Sequence, residues 1–134
     1  MSRNLRVTIP GKPQQQGSKT PYIIKGRVVL TEANKNLMPW RLAAIPPVQQ
    51  AMFDQDWVFP HPEQAVTLEV AFYFEKPKSS KRDAMTTKPD CDHLIRAVGD
   101  LLTQSGAFTD DSQITRIVAV KEYGEPRTEI LLSF

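Results

Sequence analysis

The sequence predicts an α+β fold in which one β-sheet packs against two main helices. The strongest signal is residues 66–74, where five apolar side chains alternate with other residues, as in a half-buried strand. Shorter alternating stretches lie near both termini, and an apolar repeat at helical spacing runs through residues 92–105. A chain of 134 residues is expected to form a single small domain, residues 1–134, around one core.

Two β segments are expected before the first helix. Residues 5–9 alternate apolar and polar side chains and predict a strand that stops at Pro10-Gly11. Residues 22–24 and 28–30 flank Lys25-Gly26-Arg27, which is typical of a small hairpin or a ragged β segment.

The first helix is expected to follow this hairpin. Thr31 or Asn34 could cap its N-terminus. Pro39 is tolerable in a first turn, because the N–H that it lacks has no helical partner there. Pro46-Pro47 lacks two backbone donors and predicts that the helix ends or kinks, with residues 48–53 resuming it.

The second helix, residues 92–105, is expected to bury one apolar stripe. The stripe consists of Leu94, Val98, Leu101 and Leu102. Gly106 is a natural C-terminal stop. Residues 114–121 and 128–134 predict two further strands, joined across Gly124-Glu125-Pro126.

Composition excludes several protein classes. Apolar residues make up 40% of the chain and charged residues 24%, which is ordinary for a globular domain. No apolar run is long enough to span a membrane, and no signal peptide is expected. Cys91 is the only cysteine, so we expect no internal disulfide and a reducing compartment. One cysteine and two histidines cannot build a structural zinc site of the usual four ligands.

The charges are segregated along the chain, although the net charge is only +2. Residues 1–44 carry eight Lys/Arg and one acid, whereas residues 45–75 carry five acids and no Lys/Arg. A basic run follows, made of Lys76, Lys78, Lys81, Arg82 and Lys88, and residues 89–113 then carry five Asp. Cations directly before an acidic cluster suit a phosphodiester substrate beside a metal ion. The alternative is that these charges simply coat solvated faces.

The acidic cluster has the composition of a metal site. Asp90 and Asp92 flank Cys91 where the second helix begins, and Asp110-Asp111 follows in the loop after that helix. Hard dications such as Mg²⁺ bind carboxylate oxygens. The fourteen-residue helix would be about 20 Å long. The loop must therefore fold back along it, or a second subunit must contribute.

Each acidic residue also has a structural explanation. Asp90 or Asp92 could cap the helix N-terminus, and Asp110-Asp111 could serve the turn. Asp92, Arg96 and Asp100 share one helix face and could form an exposed ion-pair ladder. Capping accounts for one Asp but not for two Asp followed by a further pair. Together with the basic run before it and the family resemblance described next, this pattern favours a metal site.

The same residues resemble a known family. The pattern Asp-x-Asp-His-Leu-x-Arg-x-x-x-Asp-x-Leu, followed by Gly106-x-Phe108-x-Asp110-Asp111, is similar to the signature of the RusA-type Holliday junction resolvases. The matching block runs from Lys88 to Gln113. His93 stands where that family usually has Asn, and Arg96 stands where it usually has Lys. The resemblance implies a RusA-like fold, with a mixed β-sheet against the two helices.

The resemblance implies metal-assisted phosphodiester hydrolysis. Asp90, Asp92 and Asp111 would hold one or two Mg²⁺ ions, with Asp110 as a supporting or partial ligand. Arg96 would contact the scissile phosphate or neutralise the charge that develops on it.

The remaining residues of the motif have lesser expected roles. His93 could hydrogen-bond a neighbouring carboxylate or ligate the metal weakly, and Cys91 is expected to pack rather than to react. Lys76, Lys78, Lys81, Arg82 and Lys88 are expected to bind DNA. Trp40 and Trp57 are expected in the core or a dimer interface, although an exposed Trp could wedge a branch point open.

The implied substrate is a four-way DNA junction. The resemblance implies a homodimer with two metal sites, which suits paired nicking of opposed strands in DNA recombination, repair or phage DNA processing. We expect no membrane or small-molecule partner, and a location in the cytoplasm of a bacterial or phage-infected cell. Two alternatives stay open. One is a module that holds branched DNA without cutting it, and the other is a metal nuclease for other branched or single-stranded DNA.

Overall fold

A four-stranded mixed sheet and two helices make up most of the molecule. The computed structural model describes residues 1–17 and 19–134, with the backbone alone at Lys19 and Thr20. The elements in chain order are β1 Asn4–Pro10, β2 Lys19–Ile24, β3 Arg27–Glu32, α1 Leu37–Asp54, β4 Val66–Phe74, α2 Cys91–Ser105, β5 Ile114–Tyr123 and β6 Arg127–Ser133. A short 3-10 turn, Asp111–Gln113, precedes β5.

The sheet has the strand order β1-β6-β4-β5. Strands β4 and β5 run parallel, whereas β6 is antiparallel to both of its neighbours. Helix α1 lies over β1, and α2 lies over β5 on the same face. This arrangement confirms the predicted α+β fold with a mixed sheet and two main helices.

Strand β4 forms the centre of the core, as its alternation predicts. Its apolar side chains Val66, Leu68, Val70, Phe72 and Phe74 are all buried, and every intervening residue is half-buried. The predicted stripe of α2, Leu94, Val98, Leu101 and Leu102, is completely buried against them. Trp40 and Trp57 also pack against this core, and the Trp57 indole donates a hydrogen bond to the Ala107 carbonyl oxygen at 2.9 Å.

Helix α1 continues through Pro46-Pro47, so the expectation that it would end there is wrong. Each proline removes one backbone hydrogen bond, to the carbonyl four residues earlier. Those carbonyls belong to Leu42 and Ala43, which are exposed and therefore open to water. Ala44 and Val48, on either side of the prolines, are buried in the core. The packing of this helix face outweighs the local cost of the two prolines.

The start of α1 also differs from the sequence prediction. Asn36 precedes the helix without a capping hydrogen bond from its side chain, and Thr31 lies within β3. Asn34 instead stabilises the preceding turn, because its Oδ1 accepts from the Asn36 N–H at 3.1 Å. Neither predicted residue is therefore the N-cap.

The predicted hairpin is confirmed and lies apart from the main sheet. Strands β2 and β3 pair only with each other among the described residues. The large apolar side chains of the hairpin are exposed, with Ile23 80% accessible. The hairpin therefore adds little to the core.

Helix α2 ends as predicted. Gly106 has φ of 84°, a left-handed conformation that glycine adopts without strain. No helix in the described part of the chain is both long enough and apolar enough to cross a membrane.

Candidate metal centre and its surroundings

The first turn of α2 gathers three potential metal ligands. Asp90 immediately precedes the helix in extended conformation, and Asp92 lies in the first turn. One ligand atom from each of Asp90, Asp92 and His93 lies within 4.8 Å of the other two. The His93 Nε2 is 4.0 Å from a carboxylate oxygen of Asp92. Two carboxylates and one imidazole at this spacing fit a single divalent cation.

The carboxylate of Asp90 does not serve the helix as a cap. Asp90 occupies the N-cap position, but its side chain makes no capping hydrogen bond. Asp90 contributes to the helix through its backbone carbonyl oxygen, which accepts from the Leu94 N–H at 3.2 Å. Capping therefore does not account for this Asp, and the positive end of the helix dipole favours negative charge here.

Lys121 fixes the segment that leads into Asp90. Its ammonium, extending from β5, donates to the carbonyl oxygens of Thr87 at 2.8 Å and Pro89 at 2.9 Å. Met85 is buried in the core just before them. Residues 85–89 are thus anchored twice, which orients the backbone on which Asp90 stands. Sequence reasoning missed Lys121, because nothing in its local spacing links it to residues 87–89.

A second anchor reaches the first turn of α2 from the N-terminal loop. The Gln16 N–H donates to the His93 carbonyl oxygen at 3.1 Å. Arg41 of α1 donates to Gln16 Oε1 at 3.2 Å and lies 3.8 Å from an Asp100 oxygen. Arg41 is only 7% exposed. A lone arginine on the buried side of an apolar helix is the signal that could have drawn attention to it.

The loop after α2 is held by Gln113. Its side-chain oxygen accepts from the Thr109 N–H at 2.9 Å, and its amide donates to the His61 carbonyl oxygen at 2.9 Å. Asp110 accepts from the Ser112 N–H at 3.0 Å and forms a capping box with Gln113. One oxygen of Asp110 therefore serves the turn, and this hydrogen bonding to Ser112 lowers the pKa of its carboxyl group.

Asp111 lies beside the middle of α2, because the loop folds back along the helix. A Cβ atom at Gly99 would come within 3.2 Å of the Asp111 Oδ2, so only glycine allows this approach without displacement. Gly99 is seven residues beyond Asp92, or about 10 Å along the axis. Among the described residues, the ligand cluster at the start of α2 does not include Asp111.

The environment of Asp111 disfavours its negative charge. The residue is exposed overall, but its carboxylate lies partly against α2. The pKa of Asp111 is raised, first by this loss of solvent and then by repulsion from Asp110 and Asp100.

Arg96 lies on the exposed face of α2 and takes part in no ion pair of the described residues. Asp100, one turn further along, pairs with Arg41 instead. The ion-pair ladder along α2 is therefore not formed, and the Arg96 guanidinium is available to an anion.

The five cations predicted to bind DNA are all exposed in the loop between β4 and α2: Lys76, Lys78, Lys81, Arg82 and Lys88. Arg82 donates to the Thr86 hydroxyl at 3.0 Å, and the Lys76 ammonium lies 5.7 Å from the centre of the Tyr123 ring. The anchored end of this loop leads into Asp90, so the cations directly precede the acidic cluster along the chain.

The raised pKa of Asp111 predicts a stability effect with a defined sign. The folded protein binds this proton more tightly than the unfolded chain, so ionisation of Asp111 costs stability above the folded-state pKa. Asp111→Asn should raise the melting temperature at pH 7 in metal-free buffer. The gain should vanish as the pH falls below about 3.9, the unfolded-state value.

Asp110→Asn is the matched control, because its lowered pKa means that ionisation is favoured in the folded state. That change should give no gain at pH 7. Thermal unfolding of both variants from pH 3 to 8 measures the difference, and destabilisation by Asp111→Asn at pH 7 would contradict the assigned environment.

Comparison with known proteins finds similarity over nearly the whole chain. The chain is 27% identical over 145 aligned residues to the "Uncharacterized protein YqaN" of Bacillus subtilis (strain 168), covering 96% of this chain and 94% of that protein. The family model described as "Endodeoxyribonuclease RusA" matches residues 10–133. Since that match includes nearly the whole sequence, with both helices and the acidic motif, the chain belongs to the RusA endodeoxyribonuclease family.

Proposed function

We propose that this chain is a magnesium-dependent, structure-selective endonuclease that resolves four-way DNA junctions by paired nicking as a homodimer. The observation that carries the proposal is the convergence of ligand atoms from Asp90, Asp92 and His93 within 4.8 Å. Family membership supports DNA cleavage and a divalent metal ion. The activity would serve DNA recombination, repair or phage DNA processing in the cytoplasm of a bacterial or phage-infected cell.

Asp90 and Asp92 are the principal metal-holding residues of the proposal, and His93 offers a third ligand atom. Carboxylate oxygens suit Mg²⁺, which prefers hard donors and keeps several waters. When bound, the ion supplies Lewis-acid polarisation of the phosphate and lowers the pKa of water. The position of the cluster at a helix N-terminus adds the partial positive charge of that end for the phosphate.

Asp111 is the third carboxylate of the proposed centre, in the same subunit. Its approach to Gly99 of its own α2 supports this assignment. Because about 10 Å of helix separates it from Asp92, direct ligation requires the loop at residues 109–113 to move toward the helix N-terminus. Asp110 would be a supporting or partial ligand through one oxygen, because its other oxygen caps the turn.

Arg96 and the basic loop, which is the β4–α2 loop with its five cations, are proposed to contact different parts of the DNA. Arg96 lies one turn beyond Asp92 on an exposed face, where its planar guanidinium can hydrogen-bond the scissile phosphate. Lys78, Lys81 and Arg82 precede Asp90 by at least eight residues and would hold the neighbouring DNA backbone through their charge.

The metal assignment predicts that Asp90→Asn and Asp92→Asn each reduce junction cleavage by about 100-fold or more, because several kcal/mol of transition-state stabilisation is lost. Junction binding should be unchanged or tighter, since one negative charge facing the phosphates is removed. The measurement is single-turnover cleavage of a synthetic four-way junction in Mg²⁺, with binding measured in EDTA. Asp54→Asn, an exposed change on α1, is the control. Wild-type rates in both variants would refute the metal site.

The basic loop is predicted to set affinity rather than chemistry. Each phosphate contact contributes roughly 0.9 to the slope of log affinity against log salt. Replacing Lys78, Lys81 and Arg82 with Ala should make that slope shallower and weaken binding to all junction sequences about equally. Arg6→Ala, on the uncovered face of the sheet, should leave the slope unchanged. A triple variant with an unchanged slope but no cleavage would show that the loop is catalytic.

Lys121 is predicted to position the metal centre through the carbonyls of Thr87 and Pro89. Lys121→Met should raise the Mg²⁺ concentration needed for half-maximal cleavage by roughly tenfold or more, as loss of an outer support typically does. The rate at saturating Mg²⁺ should fall less, and Lys121→Arg should recover part of the loss. Lys76→Met removes a nearby charge that touches neither carbonyl and should leave the Mg²⁺ requirement unchanged. Equal Mg²⁺ requirements in Lys121→Met and the wild type would rule out this role.

A further inference from the structure

Strand β5 leaves one long edge of the sheet exposed. It pairs with β4 on one side and ends the strand order, with no partner on its other side among the described residues. It is ten residues long and contains neither proline nor glycine. Soluble proteins usually protect such an edge with a short strand, a proline, a bulge or charged side chains. Strand β5 has a register irregularity at its start, between Ile114 and Arg116, but residues 116–123 pair regularly with β4. The charges in this regular part are of both signs, which leaves it open to pairing with a strand of complementary charge.

The side chains of β5 present different chemistry on the two faces of the sheet. Val118 and Val120 line the groove on the face that no helix covers, and they are 39% and 42% exposed. Arg116 and Glu122 flank these valines on the same face, because side chains alternate along a strand. The helix-covered face carries Ala119, which packs against the core. Along β5, the uncovered face therefore presents a cation, two apolar side chains and an anion, in that order.

We propose that β5 pairs antiparallel with β5 of a second copy of this chain, about a two-fold axis that passes through Ala119. This inference rests on the homodimer of the proposed function and assigns its interface. The pairing places Arg116 of each copy opposite Glu122 of the other, and Val118 opposite Val120. The two four-stranded sheets then form one continuous sheet of eight strands.

The charge pattern selects this register over its neighbours. Directly opposite side chains in an antiparallel pair interact most strongly, and like charges there are destabilising. A shift of the axis by half a residue would set side chains of opposite faces against each other, which a two-fold axis perpendicular to the sheet does not allow. A shift by a whole residue in either direction leaves Arg116 and Glu122 opposite uncharged residues. Only the axis at Ala119 forms both Arg116–Glu122 pairs, so the strand is self-complementary in that register.

The pairing has a consequence for the metal centres. An axis perpendicular to the sheet keeps both helix layers on the same face, so the acidic clusters of the two copies face the same side. Lys121, which holds the segment before Asp90, is two residues from the axis. The two Lys121 Cα atoms would be about 14 Å apart, from 3.4 Å per residue and 4.8 Å between strands. One DNA junction on that side would contact both centres.

The experiment measures assembly by sedimentation velocity and by cross-linking of the full chain. The wild type should be a dimer at micromolar concentration. Arg116→Glu should dissociate at least tenfold more readily, because it places acid opposite Glu122 twice. Glu122→Arg should do the same, and the double exchange Arg116→Glu/Glu122→Arg should restore the dimer. Ile23→Glu, on the exposed hairpin, should leave assembly unchanged.

Cross-linking decides the register even if a charge variant folds poorly. In a Cys91→Ser background, Ala119→Cys should form an intersubunit disulfide, since opposite Cα atoms at the axis are about 4.5–5.5 Å apart. Val118→Cys should not form one, because it faces Val120.

The interface is overturned if Arg116→Glu remains a dimer and Ala119→Cys forms no disulfide. It is also overturned if Ile23→Glu loses the dimer. Neither result contradicts the proposed resolvase activity. A wild-type monomer overturns the interface and the homodimer together, whereas absence of cleavage in an intact dimer counts against the proposed activity alone.

Discussion

The candidate site depends on the packing of one face of α2 against the sheet. Leu94, Val98, Leu101 and Leu102 are buried completely against the core built around β4. The helical repeat then turns Asp92, Arg96 and Asp100 away from the core, because residues four apart share a face. Because packing fixes the position of the helix, it also fixes the backbone positions of the acidic residues on this polar face. Destroying the stripe would remove the site without touching a ligand.

Three segments distant in sequence support that face. Lys121 reaches from β5 to the carbonyls before Asp90, and Gln16 reaches the first turn of α2. Gln113 holds the loop that brings Asp111 against Gly99. The pKa of Asp111 is raised, first by its loss of solvent against α2 and then by repulsion from Asp110 and Asp100. Supports of this kind keep carboxylates close together at a cost in stability, which a bound cation would offset.

The sequence predicts the periodic parts of this structure well and the long-range supports poorly. Strand β4 and helix α2 follow from local alternation and local spacing, which depend on burial of one face. The break expected at Pro46-Pro47 does not occur, because packing on both sides of the prolines outweighs the lost hydrogen bonds. Lys121 and Gln113 act through backbone groups more than thirty residues away, and no local pattern marks such pairs. The positions of Asp90 and Asp92 were accessible from sequence, but the distance of Asp111 from them was not.

The most direct test of the proposed activity is to map the nicks that the wild-type protein makes in a synthetic four-way junction, in Mg²⁺ and in EDTA. The acidic cluster should be dispensable for holding DNA and essential for cutting it. Binding is expected in both buffers and, in Mg²⁺ alone, a pair of nicks placed symmetrically on opposed strands. Cleavage that continues in EDTA, or binding without any nick in Mg²⁺, would contradict it.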